Sequence, residues 1–297
     1  MKLTRLTRRH KTYFTAALFV TPVVLGITLF KIVPIISALR VSFFDYNLLS
    51  EMKTYLGLEN YRLAVLYDTR FHHSLLVTLV FAVCKVAIQV ALGLALAMVV
   101  RQKITGIGAV RSMIFVPVVT SMVVVATVWN LIYHPTEGVL NSILSLFGVP
   151  PKGFLINPRY ALPSVLAMTV WKDVGFTMII LLSGLQSIPE TYYEAAAIDG
   201  ASKIQSFRHI TLPLLRPALM YVIVTITVFS FQVFTPVYIM TQGGPLDSTR
   251  VVAYNIYENA FVYMKMGYAS ALSVMLFAII LVISLVQMRI VRGGESA

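Results

Sequence analysis

Glu194 and Asp199 frame a short run, Glu194-Ala195-Ala196-Ala197-Ile198-Asp199-Gly200-Ala201, within residues 186–216, a polar loop between two long apolar stretches. Such a run suits a protein contact better than a reaction. A carboxylate can make charge-assisted hydrogen bonds with a partner, small alanines permit close approach, and glycine turns a sharp corner. The groups that catalysis needs are missing. There is no H-E-x-x-H, no G-x-S-x-G and no aspartate pair in facing apolar stretches, so neither a zinc nor a serine or aspartyl hydrolase is indicated. His72-His73 does not have zinc-ligand spacing. The single cysteine, Cys84, excludes a disulfide framework and reads as a small buried thiol. No G-x-x-x-x-G-K-[ST] loop occurs, so ATP hydrolysis, if any is used, belongs to another chain.

The local signals of the loop predict a helix, a tight turn and a second helix. Ser187 with Glu190 reads as a capping box for the first. Gly200 ends that helix in a left-handed conformation. Ser202 caps a second short helix expected to stop before Pro213. With this spacing, Glu194 through Gly200 to Leu212-Pro213 resembles the EAA loop of binding-protein-dependent ABC importers. Thr241-Gln242-Gly243-Gly244-Pro245 also resembles the carbohydrate-uptake permeases of that group, such as those for maltooligosaccharides and glycerol-3-phosphate. The resemblance implies that Glu194, Ala195, Ala196, Asp199, Gly200 and Ala201 dock on a cytoplasmic ATPase whose closure drags the loop and switches the pore. It further implies two ATPase chains, a second related permease subunit and an extracytoplasmic substrate-binding protein. ATP and magnesium would sit in the ATPase, and no cofactor in this chain.

A second set of polar residues lies inside apolar stretches, where polar groups face a cavity or a partner. Trp171, Lys172 and Asp173 fall mid-stretch shortly before Gly175. Successive residues point about 100° apart on a helix, so Lys172 and Asp173 do not pair only with each other. Either they hydrogen-bond sugar hydroxyls or they lock helices together. Phe231, Gln232, Phe234 and Thr235 precede Pro236, which removes a backbone donor. They offer polar contacts and rings that match the apolar faces of a sugar, or they pack against helices and lipid. Lys31 is placed to snorkel, and Lys85 lies deeper with no evident partner.

Positioning these groups is the work of the apolar stretches. The chain of 297 residues is 58% hydrophobic and 12% charged, with mean hydropathy +0.82. A soluble domain of this size carries about 25% charged residues, so the deficit points to a bilayer. Residues 13–39, 74–100, 112–132, 162–185, 217–240 and 269–288 are each long enough to cross one. The expected fold is all-α, six transmembrane helices in one domain (1–297), with short coupling helices between the fourth and fifth. Basic residues from Lys2 to Lys11 imitate a signal peptide, but the following run is long and lacks a small-x-small site, which favours an uncleaved span. Thirteen Lys and Arg, among them Arg101, Lys103, Lys203 and Arg208, fall on the side of the termini, and eight on the other. The positive-inside rule then places both termini in the cytoplasm, as in an inner-membrane, multi-pass protein. The net charge of +12 is accounted for by topology and anionic lipid, without nucleic acid. Two other classes compete: a secondary transporter or channel working without ATP, and an intramembrane enzyme. The few intramembrane charges and the docking loop speak against the first, and the missing catalytic groups against the second.

Overall fold

The computed structural model describes residues 3–47, 49–50, 53–102 and 105–292; Lys2 and Lys103, counted above for orientation, lie outside them. Helices dominate, and prolines explain several of their irregularities. Two compact units make up the chain.

The first unit comprises Met1–Tyr67 and Ile256–Met275. It opens with α1 (Leu3–Ile27), a π turn (Thr28–Ile32) and α2 (Val33–Val41). The wide turn has a local cause. Pro34 cannot donate to Phe30, and its ring would press on that carbonyl. One turn opens to i→i+5 bonding, with the Val33 amide donating to the Thr28 carbonyl. Lys31 sits in this turn and is exposed. A small hairpin unforeseen from the sequence follows, β1 (Phe44–Tyr46) against β2 (Lys53–Tyr55), with Phe44 opposite Tyr55. Beyond it, α3 (Glu59–Leu66) presents Asn60, whose side-chain amide donates to the Ser42 carbonyl at 2.9 Å and the Phe44 carbonyl at 3.1 Å.

The second unit, Asp68–Asn255 with Leu276–Ala297, is built on α4 (Thr69–Val100). This helix starts five residues before the expected span because Asp68 caps it, accepting from the Phe71 amide at 2.9 Å. Its buried face, Phe71, Ser74, Thr78, Phe81, Lys85, Gln89, Gly93, Ala97 and Val100, recurs every three or four residues. Cys84 lies beside that face and is half-buried, not buried as expected. Next come α5 (Ile107–Val119), α6 (Met122–Ile132) and α7 (Val139–Leu146). The central α8 (Pro158–Gln186) begins at Asn157, which accepts from the Arg159 amide, with Pro158 in the first turn. Helices α4 and α8 pack tightly. A Cβ added at Gly93 would collide with the Thr177 methyl.

Two expected spans are broken. Residues 112–132 form no single helix, since α5 and α6 meet at 98°. Thr120 and Ser121 are extended there, just after Pro117. Residues 217–240 divide into α12 (Arg216–Phe231) and α13 (Thr235–Met240). The second break falls where Pro236 would clash with the carbonyl four residues back, at Gln232. Between α8 and α12 lie α9 (Thr191–Ile198), α10 (Lys203–Ser206) and α11 (Leu212–Leu214). Short α14 (Val252–Tyr257) precedes the last helix, α15 (Met266–Arg292). Four helical stretches, Thr15–Val41, Thr69–Val100, Pro158–Gln186 and Met266–Ile290, are long and apolar enough to cross a membrane. The number rises to six if each of two bent pairs, α5 with α6 and the 203–214 run with α12, counts as one.

Candidate functional site

The two helix breaks and the α4–α8 contact enclose a cavity of about 440 Å³. Its polar wall is contributed by Lys85 and Gln89 from α4 and by Thr169 and Asp173 from α8. The Lys85 ammonium donates to an Asp173 carboxylate oxygen at 2.7 Å. The side chain of Lys85 is almost wholly buried (6% exposed), whereas Asp173 keeps 28% open. Gln89 donates to the Asp173 carbonyl at 3.2 Å and to the Thr177 hydroxyl at 2.9 Å. Opposite this wall stand Phe229, Gln232, Phe234 and Thr235, with Phe176 beside Asp173. The arrangement joins a neutralised ion pair to aromatic faces and hydroxyl or amide groups. It suits a polyhydroxylated solute that needs both hydrogen bonds and apolar stacking.

Four of the seven substrate-path residues read from the sequence line this cavity: Asp173, Gln232, Phe234 and Thr235. Lys172 turns away from it. Its ammonium donates to the Val118 carbonyl at 3.2 Å and lies 3.7 Å from Asp173. Val118 is in the last turn of α5, where the helix break leaves carbonyls without their usual amide donors. Lys172 thus caps the broken end of α5. Trp171 packs its ring 5.5 Å from Trp129, and Phe231 is buried at 2% exposure; neither lines the cavity. The sequence left Lys85 without a partner and passed over Gln89. Their i, i+4 spacing inside an apolar run placed both on one helix face. The opposing Asp173 lies 88 residues further along, and only the packed α4–α8 pair reveals the match.

The loop at the other candidate site is a rigid corner. After α9, the Ala201 amide donates to the Ala196 carbonyl at 2.9 Å and the Gly200 amide to the Ala197 carbonyl at 3.1 Å. This is a Schellman closure, with Gly200 left-handed at φ +76°. Ser202 then caps α10 reciprocally with Gln205, at 3.3 and 2.7 Å. Two local expectations are corrected. Ser187 does not cap α9; in an α-helical conformation it closes α8, its hydroxyl donating to the Gly184 carbonyl at 2.8 Å, and Glu190 takes the N-cap position without its side chain accepting from the amides of α9. The second helical run does not stop before Pro213 either. It continues through a π turn (Phe207–Thr211) to Leu214, the wide turn again making room for a proline. Tyr193 ties the corner down: its hydroxyl is 3.0 Å from that of Thr211, and Arg101 lies 4.9 Å over its ring. The outer face exposes Glu194, Ala195, Asp199 and Gly200, beside Ile198 (87% exposed).

A polar cavity lined from α4, α5, α8 and α12, with a braced corner on the segment that links α8 to α12, fits a membrane transport component. Residues 89–293 match the family described as binding-protein-dependent transport system inner membrane component, and the chain belongs to that family. It is a multi-pass inner-membrane protein. It is 34% identical over 279 residues to the trehalose/maltose transport system permease protein MalF of Thermococcus litoralis, covering 93% of this chain and 92% of that one. It is 35% identical over 282 residues to the probable ABC transporter permease protein YurN of Bacillus subtilis, covering 94% and 96%. Its fold matches a bacterial ABC transporter involved in the import of the acidic polysaccharide alginate. There the TM-score is 0.84 at 22% identity, over 97% of this chain and 98% of the other.

Proposed function

We propose that this chain is the pore-forming permease subunit of an ATP-driven importer for a sugar or sugar derivative. The observation that carries the reading is the exposed α9–Gly200–α10 corner in a chain of this family. Family membership and sugar-transporting relatives support the substrate class. Residues 1–297 act as one transmembrane domain of six spans, with α5–α6 as the third and α12, continued by α13, as the fifth, while the 203–214 run stays on the cytoplasmic side. Two ATPase subunits holding ATP and magnesium engage the corner through Glu194, Ala195, Ala196, Asp199, Gly200 and Ala201. A second related permease subunit completes the pore, and an extracytoplasmic binding protein delivers the solute. Closure of the ATPases pulls the corner, and the run joined to α12 carries that motion to Gln232, Phe234 and Thr235 at the cavity.

Two measurements test this. The purified chain alone is expected to hydrolyse no ATP, while the assembled complex hydrolyses it faster when loaded binding protein is added. Uptake by this chain alone in proteoliposomes, without ATP, would instead favour a secondary transporter. For orientation, cysteines are introduced one at a time into a Cys84→Ala background. Leu246→Cys, at an exposed position, should react with an impermeant maleimide on intact cells, and Ile204→Cys only after lysis. Outside labelling at Ile204 would put the corner on the wrong side of the membrane for an ATPase.

A further inference from the structure

Beneath the corner lies a second cavity, of about 430 Å³, separate from the one at the helix breaks. We propose that it holds the headgroup phosphate of an anionic phospholipid. Arg101 and Lys203 both line it, and no carboxylate does. Among the described residues neither cation has an acidic side chain within salt-bridge distance. Arg101 directly follows Val100, the last residue of the long apolar α4, which places it where a spanning helix meets the headgroup layer. A guanidinium there offers a planar pair of donors matched to phosphate oxygens, and the Lys203 ammonium adds a point charge. Met98, Leu185 and Phe207 make one part of the remaining wall apolar, and Ser206 and Thr211 add hydroxyls to the polar part. A free phosphate would leave the apolar part unused, whereas a lipid fills it with the start of an acyl chain.

Occupancy would act on the corner itself. Arg101 stacks on the Tyr193 ring, and Tyr193 in turn meets Thr211. A headgroup bound to Arg101 and Lys203 therefore joins the end of α4, α9 and the run leading to α12. This site goes beyond the importer reading and needs none of its partner subunits.

The test uses the full chain in nanodiscs of phosphatidylcholine with or without phosphatidylglycerol, and counts by native mass spectrometry the lipid retained after detergent washing. The wild type is expected to retain phosphatidylglycerol. Arg101→Ala/Lys203→Ala should bind it roughly 30-fold more weakly, from two lost cations at an anionic surface. Lys203→Glu alone, at an exposed position that leaves folding intact, should also lower retention. Arg62→Ala/Arg159→Ala, which removes two cations elsewhere, should not. Equal retention by the wild type and Lys203→Glu overturns the proposal. So does loss of the retained phosphatidylglycerol from the wild type when inorganic phosphate is added to the wash, which would make free phosphate the ligand.

Discussion

Gly200→Val is expected to abolish ATP-driven uptake while the protein still inserts and purifies in normal yield. Gly200 holds φ at +76°, a left-handed conformation that costs an L-residue roughly 1–2 kcal/mol and a β-branched one more. A Cβ added there would meet nothing within 4 Å, so the penalty comes from the backbone alone and not from a clash. The chain can relieve it by abandoning the left-handed turn. That forfeits the Schellman bonds to Ala196 and Ala197 and swings α10 away from α9. Because the corner is exposed, the membrane-embedded packing is not touched. Gly200→Asn, a residue that tolerates the left-handed region, should retain most activity and so separates conformation from side-chain loss. Glu194→Ala should weaken ATPase pull-down less than Gly200→Val does, since an exposed carboxylate is well hydrated and the lever keeps its shape. Pull-down of the ATPase, ATP hydrolysis and sugar uptake are measured on the three variants. Wild-type assembly and transport by Gly200→Val would remove the corner from the mechanism.

What the sequence made legible follows from the range of the interactions involved. Gly200 and Ser202 were readable because a left-handed stop and a capping box are decided within about five residues. The same local logic failed at Ser187, whose backbone had already been taken by the end of α8, leaving its hydroxyl to bond Gly184. Apolar length located the spanning stretches, yet it could not show that 112–132 folds back at 98°. Hydropathy is blind to a pair of extended residues such as Thr120 and Ser121. Pro236 reads in the sequence only as the loss of one backbone donor within 217–240, although its ring also disfavours the helix through its own i−4 position and so breaks it. Pairing across the bundle stayed out of reach. Lys172 and Asp173 are neighbours in sequence, but one reaches a broken helix end and the other Lys85, because their directions differ and the partner helices lie on different sides of α8.

That division of labour sets up the second large effect. Asp173→Ala is expected to destabilise the protein by about 3 kcal/mol, the lower end of the range for stranding one member of a buried ion pair. The lower end applies because the carboxylate is 28% exposed to the cavity while Lys85 is nearly sealed. Removing the acid leaves a buried ammonium with no counter-charge; removing both charges does not. Lys85→Met/Asp173→Leu should therefore recover most of the lost stability, since an apolar pair of similar volume avoids the desolvation cost altogether. Transport is expected to behave differently. If the pair only locked α4 to α8, the double variant would regain uptake along with its thermal midpoint. The open part of the Asp173 carboxylate faces the same cavity as Gln232 and Phe234, where it can accept from solute hydroxyls, a role leucine cannot fill. The expected outcome is a near-normal midpoint with uptake still severely reduced. The measurements are thermal unfolding of the purified variants and uptake by the reconstituted complex, and an unchanged midpoint for Asp173→Ala would show that the contact to Lys85 does not hold the two helices together.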